Sequence, residues 1–170
     1  SSNFTNNKNI IKKFNLFFRI TKKQTLMNIE ELINACEIFK KNKTGALFVI
    51  ERSNSLDFVR NTGDQLNLEI STPIIESIFF KNSPLHDGAV IIEGNFITGA
   101  RVILPMSEKE NIDSRLGLRH RAAFGITEKT DAIAIVVSEE KGKITFIKNG
   151  EIHPYQDIEN LKTMIEVEMT

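Results

Sequence analysis

The sequence predicts an α/β fold: a single domain with a central twisted mixed β-sheet flanked by helices. Three observations carry this. Short, continuous apolar runs at 45–50, 88–92 and 132–137 read as strands buried on both faces. Segments with apolar residues at helical spacing alternate with them. Turn residues at Glu93-Gly94-Asn95 and Lys141-Gly142 fold the later strands into hairpins, which requires antiparallel pairs. The chain of 170 residues is long enough for one real core, and it contains no internal repeat or low-complexity linker.

The elements follow in order. Residues 1–27 read as an N-terminal extension rich in Asn and Lys, its first ten residues disordered, and residues 28–170 as the folded domain. Phe14, Leu16, Phe17 and Phe18 form an apolar cluster in the extension. Packing on the domain is its preferred reading, and a juxtamembrane position is the other. Asn28 followed by Glu31 resembles a capping box with Asn in place of Ser or Thr. Ile29, Leu32, Ile33, Cys36 and Phe39 then predict an amphipathic helix over 28–41, with Cys36 as a buried apolar residue. Gly45 to Ile50 is the first strand. Thr72 is the expected N-cap of a helix that has Pro73 at its first position and runs to about Phe80. Gly88–Ile92 and Phe96–Leu104 make a hairpin that Pro105 stops, and 106–115 is a polar loop. Helix 118–125, strand 132–137, strand 143–147 and helix 157–167 complete the chain.

Composition restricts the function classes. Lys+Arg and Asp+Glu number 22 each, so no global field draws a polyanion, and a basic site must be local. The zero net charge and the lack of an exposed basic and aromatic stripe argue against a single-stranded nucleic-acid binder. With Cys36 the only cysteine, neither an internal disulfide nor a thiolate-built zinc site can form. No apolar run is long enough to span a bilayer. Neither the glycine-rich dinucleotide fingerprint nor the P-loop lysine motif is present.

Two blocks could carry chemistry. Ser83-Pro84-Leu85-His86-Asp87-Gly88-Ala89 sets a carboxylate and an imidazole beside a glycine turn, and Arg119-His120-Arg121 sets two guanidinium groups around an imidazole. A carboxylate to handle a hydroxyl or a metal, with cations to hold anionic oxygens, suits phosphate chemistry. The alternative is a plain Asp-Gly turn and a salt-bridged helix end. On a helix, positions 119 and 121 point roughly 200° apart, so the two arginines serve different partners. Gly117 at the helix entrance exposes backbone N–H groups suited to an anion. Ser138-Glu139-Glu140 ends a buried strand, where a glutamate could help to hold a divalent cation.

At these residues the chain resembles the diadenylate cyclase (DAC) domain family, which condenses two ATP molecules into cyclic di-AMP. The matching stretches are GALFVIER at 45–52, SPLHDGAVII at 83–92, ILP at 103–105, LGLRHRAAFGITE at 116–128 and DAIAIVVSEEKGKI at 131–144. The arrangement is similar to that of the membrane-anchored cyclases of Firmicutes and mycoplasmas. The resemblance implies a cytoplasmic catalytic domain whose membrane anchor would lie in a segment absent from this chain. It also implies residue roles. Asp87 would engage the ribose 3′-hydroxyl, and Gly88 would let the nucleotide approach the backbone, with Ala89 beside it. His86 and Glu140 would lie at a catalytic Mg²⁺ or Mn²⁺, with Co²⁺ as a further candidate. Ser138 and Glu139 would line the phosphate region. Gly117, Leu118, Arg119, His120 and Arg121 would form the phosphate-supporting motif, Arg121 acting partly through structure. The backbone of Leu104 would read the adenine edge. Each domain would bind one ATP, so catalysis would need a head-to-head homodimer. One departure matters: the family usually has Thr where this chain has Leu118, and the lost hydroxyl hydrogen bond is worth about 0.5–1.5 kcal/mol. The rival reading is a non-catalytic module that binds ATP or cyclic di-AMP.

Overall fold

The computed structural model describes residues 7–14 and 27–170. Helices α1 (Ile29–Asn42), α2 (Asp57–Arg60), α3 (Thr72–Phe79), α4 (Leu118–Lys129) and α5 (Ile158–Glu168) accompany seven strands. The strands are β1 (Ala46–Ile50), β2 (Asp64–Glu69), β3 (Ala89–Glu93), β4 (Phe96–Val102), β5 (Ile133–Val137), β6 (Ile144–Lys148) and β7 (Glu151–Ile152). They form one sheet in the order β2-β4-β3-β1-β5-β6-β7. Among the described residues only β1 and β3 pair in parallel, Val49 opposite Ile91, while β1 and β5 run antiparallel with Phe48 opposite Ile135. Both expected hairpins form, β3 with β4 and β5 with β6. The mixed sheet and its flanking helices match the expected fold class.

The alternation of side chains along the central strands explains the layers. Phe48 and Ile50 point to one face, where they meet Leu32, Cys36 and Phe39 of α1, Ile75 and Phe79 of α3, and Leu161 and Ile165 of α5. Leu47 and Val49 point to the other, toward Val59 of α2 and Ala123, Phe124 and Ile126 of α4. Because helices cover both faces, β1 and β5 are buried along their whole lengths, which is why they read as unbroken apolar runs. Phe79 is wedged edge-on between Phe39 and Phe48, with ring centroids 5.6 and 5.1 Å away. Cys36 is fully buried in this layer, and burial pushes its thiol up to about 12, so it packs as an apolar residue.

Several local expectations are corrected. Residues 7–10 are helical, part of a helix over 7–14 on which Ile10, Ile11 and Phe14 recur at helical spacing and are exposed. Leu16, Phe17 and Phe18 lie outside the described residues. The capping box at Asn28 does not form: Asn28 donates its N–H to Asn95, and Glu31 turns to α3, accepting from the Thr72 N–H at 2.5 Å and hydroxyl at 2.8 Å. With Thr72 so engaged, Ser71 is the N-cap of α3 and accepts from Ile74 N–H at 3.2 Å. Strand β4 ends at Val102 instead of Leu104, because the Ile103 N–H leaves the ladder for the Thr62 hydroxyl at 2.8 Å. Helix α2 and strands β2 and β7 were not expected. Arg60 anchors α2: its guanidinium is buried against Glu51 at 2.6 Å and Thr98 at 3.0 Å, with Asp57 also bound.

Helix α4 continues to Lys129, well past Gly125, the expected end. Gly125 is not a terminator. A Cβ there would lie 1.7 Å from the Pro105 carbonyl oxygen and 2.9 Å from the Met106 carbonyl carbon. The backbone of the β4–α4 loop therefore rests directly on this helix. A Gly→Ala change inside a helix normally stabilises by about 1 kcal/mol. Here the sign reverses: Gly125→Ala should destabilise by about 1–3 kcal/mol, since backbone must move. A thermal melt of the variant checks this; a raised Tm would contradict the packing.

Candidate functional site

The sheet and α4 together enclose a cavity of about 760 Å³. Leu47 and Ala89 line it from the starts of β1 and β3, Val102 from the end of β4, and Val136 and Val137 from the end of β5. The first turn of α4 and the loop after β4 close the remaining sides. The volume falls in the usual range of small-molecule sites, about 300–1,000 Å³.

Asp87 reaches this cavity from a tightly organised turn. The Ser83 hydroxyl accepts from Leu85 N–H at 3.1 Å, and the Ser83 carbonyl accepts from His86 N–H at 3.4 Å and from His86 Nδ1 at 2.7 Å. Gly88 then takes φ +79°, and a Cβ on it would lie 2.8 Å from backbone atoms of Arg101 and Val102. The glycine is thus required by the close approach of β4, a constraint within the protein itself. The Asp87 side chain is 82% exposed and meets only His86, whose Nε2 lies 3.2 Å from Oδ1. Nδ1 faces the Ser83 carbonyl, an acceptor, and Nε2 is the ring atom turned toward the Asp87 carboxylate.

Arg119 enters from the first turn of α4. Its guanidinium lies over Gly45, where a Cβ would come within 2.4 Å of Nη1 and 2.6 Å of Cζ. Nη1 stands 3.6 Å from Glu139 Oε2. Gly117 caps α4 without any side-chain hydrogen bond, so the first-turn N–H groups, on residues that line the cavity, have no side-chain cap. Leu118 is exposed on the cavity wall, and His120 is buried behind it. Burial, then the positive charges of Lys143 and Arg119, hold the His120 imidazole below its ordinary pKa, so it is neutral near pH 7. Ser138, Glu139 and Glu140 line the opposite side at the end of β5, and Leu104 contributes from the loop after β4.

Of the residues singled out in the sequence, Asp87, Gly88, Ala89, Leu104, Gly117, Leu118, Arg119, His120, Ser138, Glu139 and Glu140 all line this one cavity. His86 reaches it only through Asp87. Arg121 does not line it, in keeping with the opposite directions expected for the two arginines. Its backbone carbonyl accepts from Ser107 N–H at 3.1 Å, tying the β4–α4 loop to the helix. Among the described residues, no three His, Cys, Asp or Glu side chains come together as a metal cluster. Sequence reasoning missed Asp113, Arg115, Lys141 and Lys143, which also line the cavity. Arg115 binds Asp113 through Nη2 at 2.7 Å and Nε at 3.0 and 3.1 Å, and these hydrogen bonds hold the carboxyl down at about 2. Their signal was a charged segment in a polar loop, which spacing alone does not place in a site.

Comparison with known proteins matches this architecture. The family model described as "DisA bacterial checkpoint controller nucleotide-binding" (DAC) covers residues 33–152. The chain is 44% identical over 140 residues to "Cyclic di-AMP synthase CdaA" of Bacillus subtilis, covering 82% of this chain and 51% of that protein. It is 36% identical over 153 residues to a "Diadenylate cyclase" of Mycoplasma genitalium, covering 89% and 70% respectively. The chain spans about half the length of the B. subtilis CdaA and of the Listeria monocytogenes relative. Among solved structures, a double mutant of DacA from Staphylococcus aureus superposes with a TM-score of 0.80 at 35% identity, covering 83% of this chain and 94% of that one. A family model over most of the domain, relatives at these identities and a shared three-dimensional fold agree: the chain belongs to the DAC family of nucleotide-binding domains.

Proposed function

We propose that this domain is a diadenylate cyclase, converting two ATP into one cyclic di-AMP and two pyrophosphates at a face-to-face homodimer. The observation that carries the reading is the meeting of an unencumbered carboxylate, Asp87, with the Arg119 guanidinium and open helix N–H groups in one nucleotide-sized cavity. Relatives named as cyclic di-AMP synthases and diadenylate cyclases support it.

In this reading Asp87 accepts the proton of a ribose 3′-hydroxyl. The 3′-oxygen forms a bond to the α-phosphorus of the partner's ATP as the bond from that phosphorus to the bridging oxygen breaks. Pyrophosphate departs with the electron pair. Arg119 and the first-turn N–H groups of α4 offset the charge gathering on the phosphate oxygens. The Leu104 backbone meets the adenine edge, and Ser138 and Glu139 border the phosphates. Leu118 offers only its backbone N–H. One cavity holds one ATP, so two copies must bring their nucleotides together, and the gain is that of holding reactants in line.

The chain's donors suit a hard divalent cation. Glu140 would supply a carboxylate oxygen in the cavity, and His86 would bring its Nε2, with Nδ1 turned to the Ser83 carbonyl. Substrate phosphates would complete the shell of such an ion. When bound, the ion would supply Lewis-acid polarisation of the phosphate. No helix of the described residues is long and apolar enough to cross a membrane. A structural relative from Bacillus cereus is described as a hypothetical membrane spanning protein; by analogy the domain would act at the cytoplasmic face of a membrane. The test is incubation with ATP and Mn²⁺ followed by chromatography. Cyclic di-AMP should appear, and ATP binding without product would favour the non-catalytic module instead.

A further inference from the structure

The cavity's charges are not all accounted for by the reading above. Of its four cations, Arg115 is bound by Asp113 and Arg119 faces Glu139. Lys141 and Lys143 line the same cavity, both exposed, and neither makes an ion pair or side-chain hydrogen bond among the described residues. Their positions are fixed by backbone. Ser138 N–H donates to the Lys143 carbonyl at 2.9 Å, Gly142 N–H to the Ser138 carbonyl at 2.8 Å, and Lys141 N–H to the Ser138 hydroxyl at 3.2 Å. Gly142, at φ +61°, sits so close to α1 that a Cβ would lie 2.5 Å from the Lys40 carbonyl oxygen. The β5–β6 turn is therefore a preformed platform that presents two free ammonium groups to the cavity, across from an α4 entrance where Leu118 has no hydroxyl to offer.

We propose that Lys141 and Lys143 grip the terminal phosphates of the bound nucleoside triphosphate and hold the pyrophosphate that leaves. This rests on the reading of the cavity as an ATP site. Two features favour a polyphosphate over a single phosphate. Two unpaired cations on one short turn can engage successive phosphate groups, and Asp87, where the sugar hydroxyl reacts, comes from a different element, the β3 approach.

The experiment is calorimetric titration with α,β-methylene-ATP, which cannot release pyrophosphate, and with AMP, each at two salt concentrations with Mg²⁺ present. Lys141→Gln/Lys143→Gln should weaken the triphosphate analogue about 10- to 100-fold, change AMP less than about threefold and flatten the salt dependence. Lys141→Arg/Lys143→Arg should restore most of the triphosphate affinity. Unchanged triphosphate affinity in the Gln variant would overturn the proposal while leaving the cyclase reading intact, provided the wild type binds the analogue and makes cyclic di-AMP. Equal weakening of AMP would also overturn it, because the lysines would then act on the whole nucleotide. A wild type that binds no triphosphate at all would overturn both.

Discussion

Asp87→Asn is expected to lower cyclic di-AMP formation by about 10²–10⁴-fold, the range typical of losing a positioned acid or base, while leaving ATP binding and folding unchanged. Asp87 bears little structural load: its carboxylate is 82% exposed and its sole described side-chain partner is His86 at 3.2 Å. The turn beneath it is organised by Ser83 and by the fit of Gly88 against β4, neither of which the substitution touches. Asn has the same shape but cannot accept a proton at neutral pH. Product formation by chromatography and ATP affinity by calorimetry separate the two quantities. A variant that turns over at the wild-type rate would remove Asp87 from the chemistry. One that loses ATP binding in the same proportion would make it a ground-state contact.

Gly45→Ala should reduce kcat/KM by about 10²-fold through a residue that touches no substrate, because an error of about 1 Å in a charged group can cost that much. Gly45 begins the approach to β1, buried, and its backbone does not need a glycine conformation. What it supplies is the space occupied by the Arg119 guanidinium, 2.4 Å from where a Cβ would be. That guanidinium is the far end of a flexible side chain. It can swing aside at little cost to the fold, so Tm should hardly change while phosphate handling suffers. This is the reverse of Gly125→Ala, where the obstructed atoms are backbone and stability is lost. The diagnostic is non-additivity: in an Arg119→Ala background, Gly45→Ala should have little further effect. Full additivity of the two substitutions would show that Gly45 acts elsewhere.

These two residues also show how far the sequence could be read. Strands β1, β3 and β5 were legible because helices on both faces demand unbroken apolar runs. Strand β2 was not, since DQLNLE lies at the sheet edge, mostly exposed, and carries little apolar signal. Helix α2 has four residues, too few for any period, and its anchor is the long-range engagement of Arg60 with Glu51 and Thr98. Ser71 and Thr72 are equally good caps by type. The choice was made by Glu31, forty-one positions away, which recruits Thr72. At the site, Asp87 and Arg119 could be picked out because each sits in a block of unusual composition. Gly45, Asp113, Arg115, Lys141 and Lys143 could not. A glycine before a strand, a charged loop and a lysine-rich turn look alike whether they face solvent or a cavity, and only the approach of α4 to the starts of β1 and β3 tells them apart.

The central claim is that each copy carries half of a reaction centre. Its most direct test is the specific rate of cyclic di-AMP and pyrophosphate formation from ATP and Mn²⁺ across a protein dilution series, with oligomeric state followed by light scattering. The account predicts one cyclic di-AMP for every two pyrophosphates, with specific activity rising as monomers give way to dimers. No cyclic di-AMP at concentrations where dimers are present, or a specific activity undiminished in solutions of monomer alone, would contradict it.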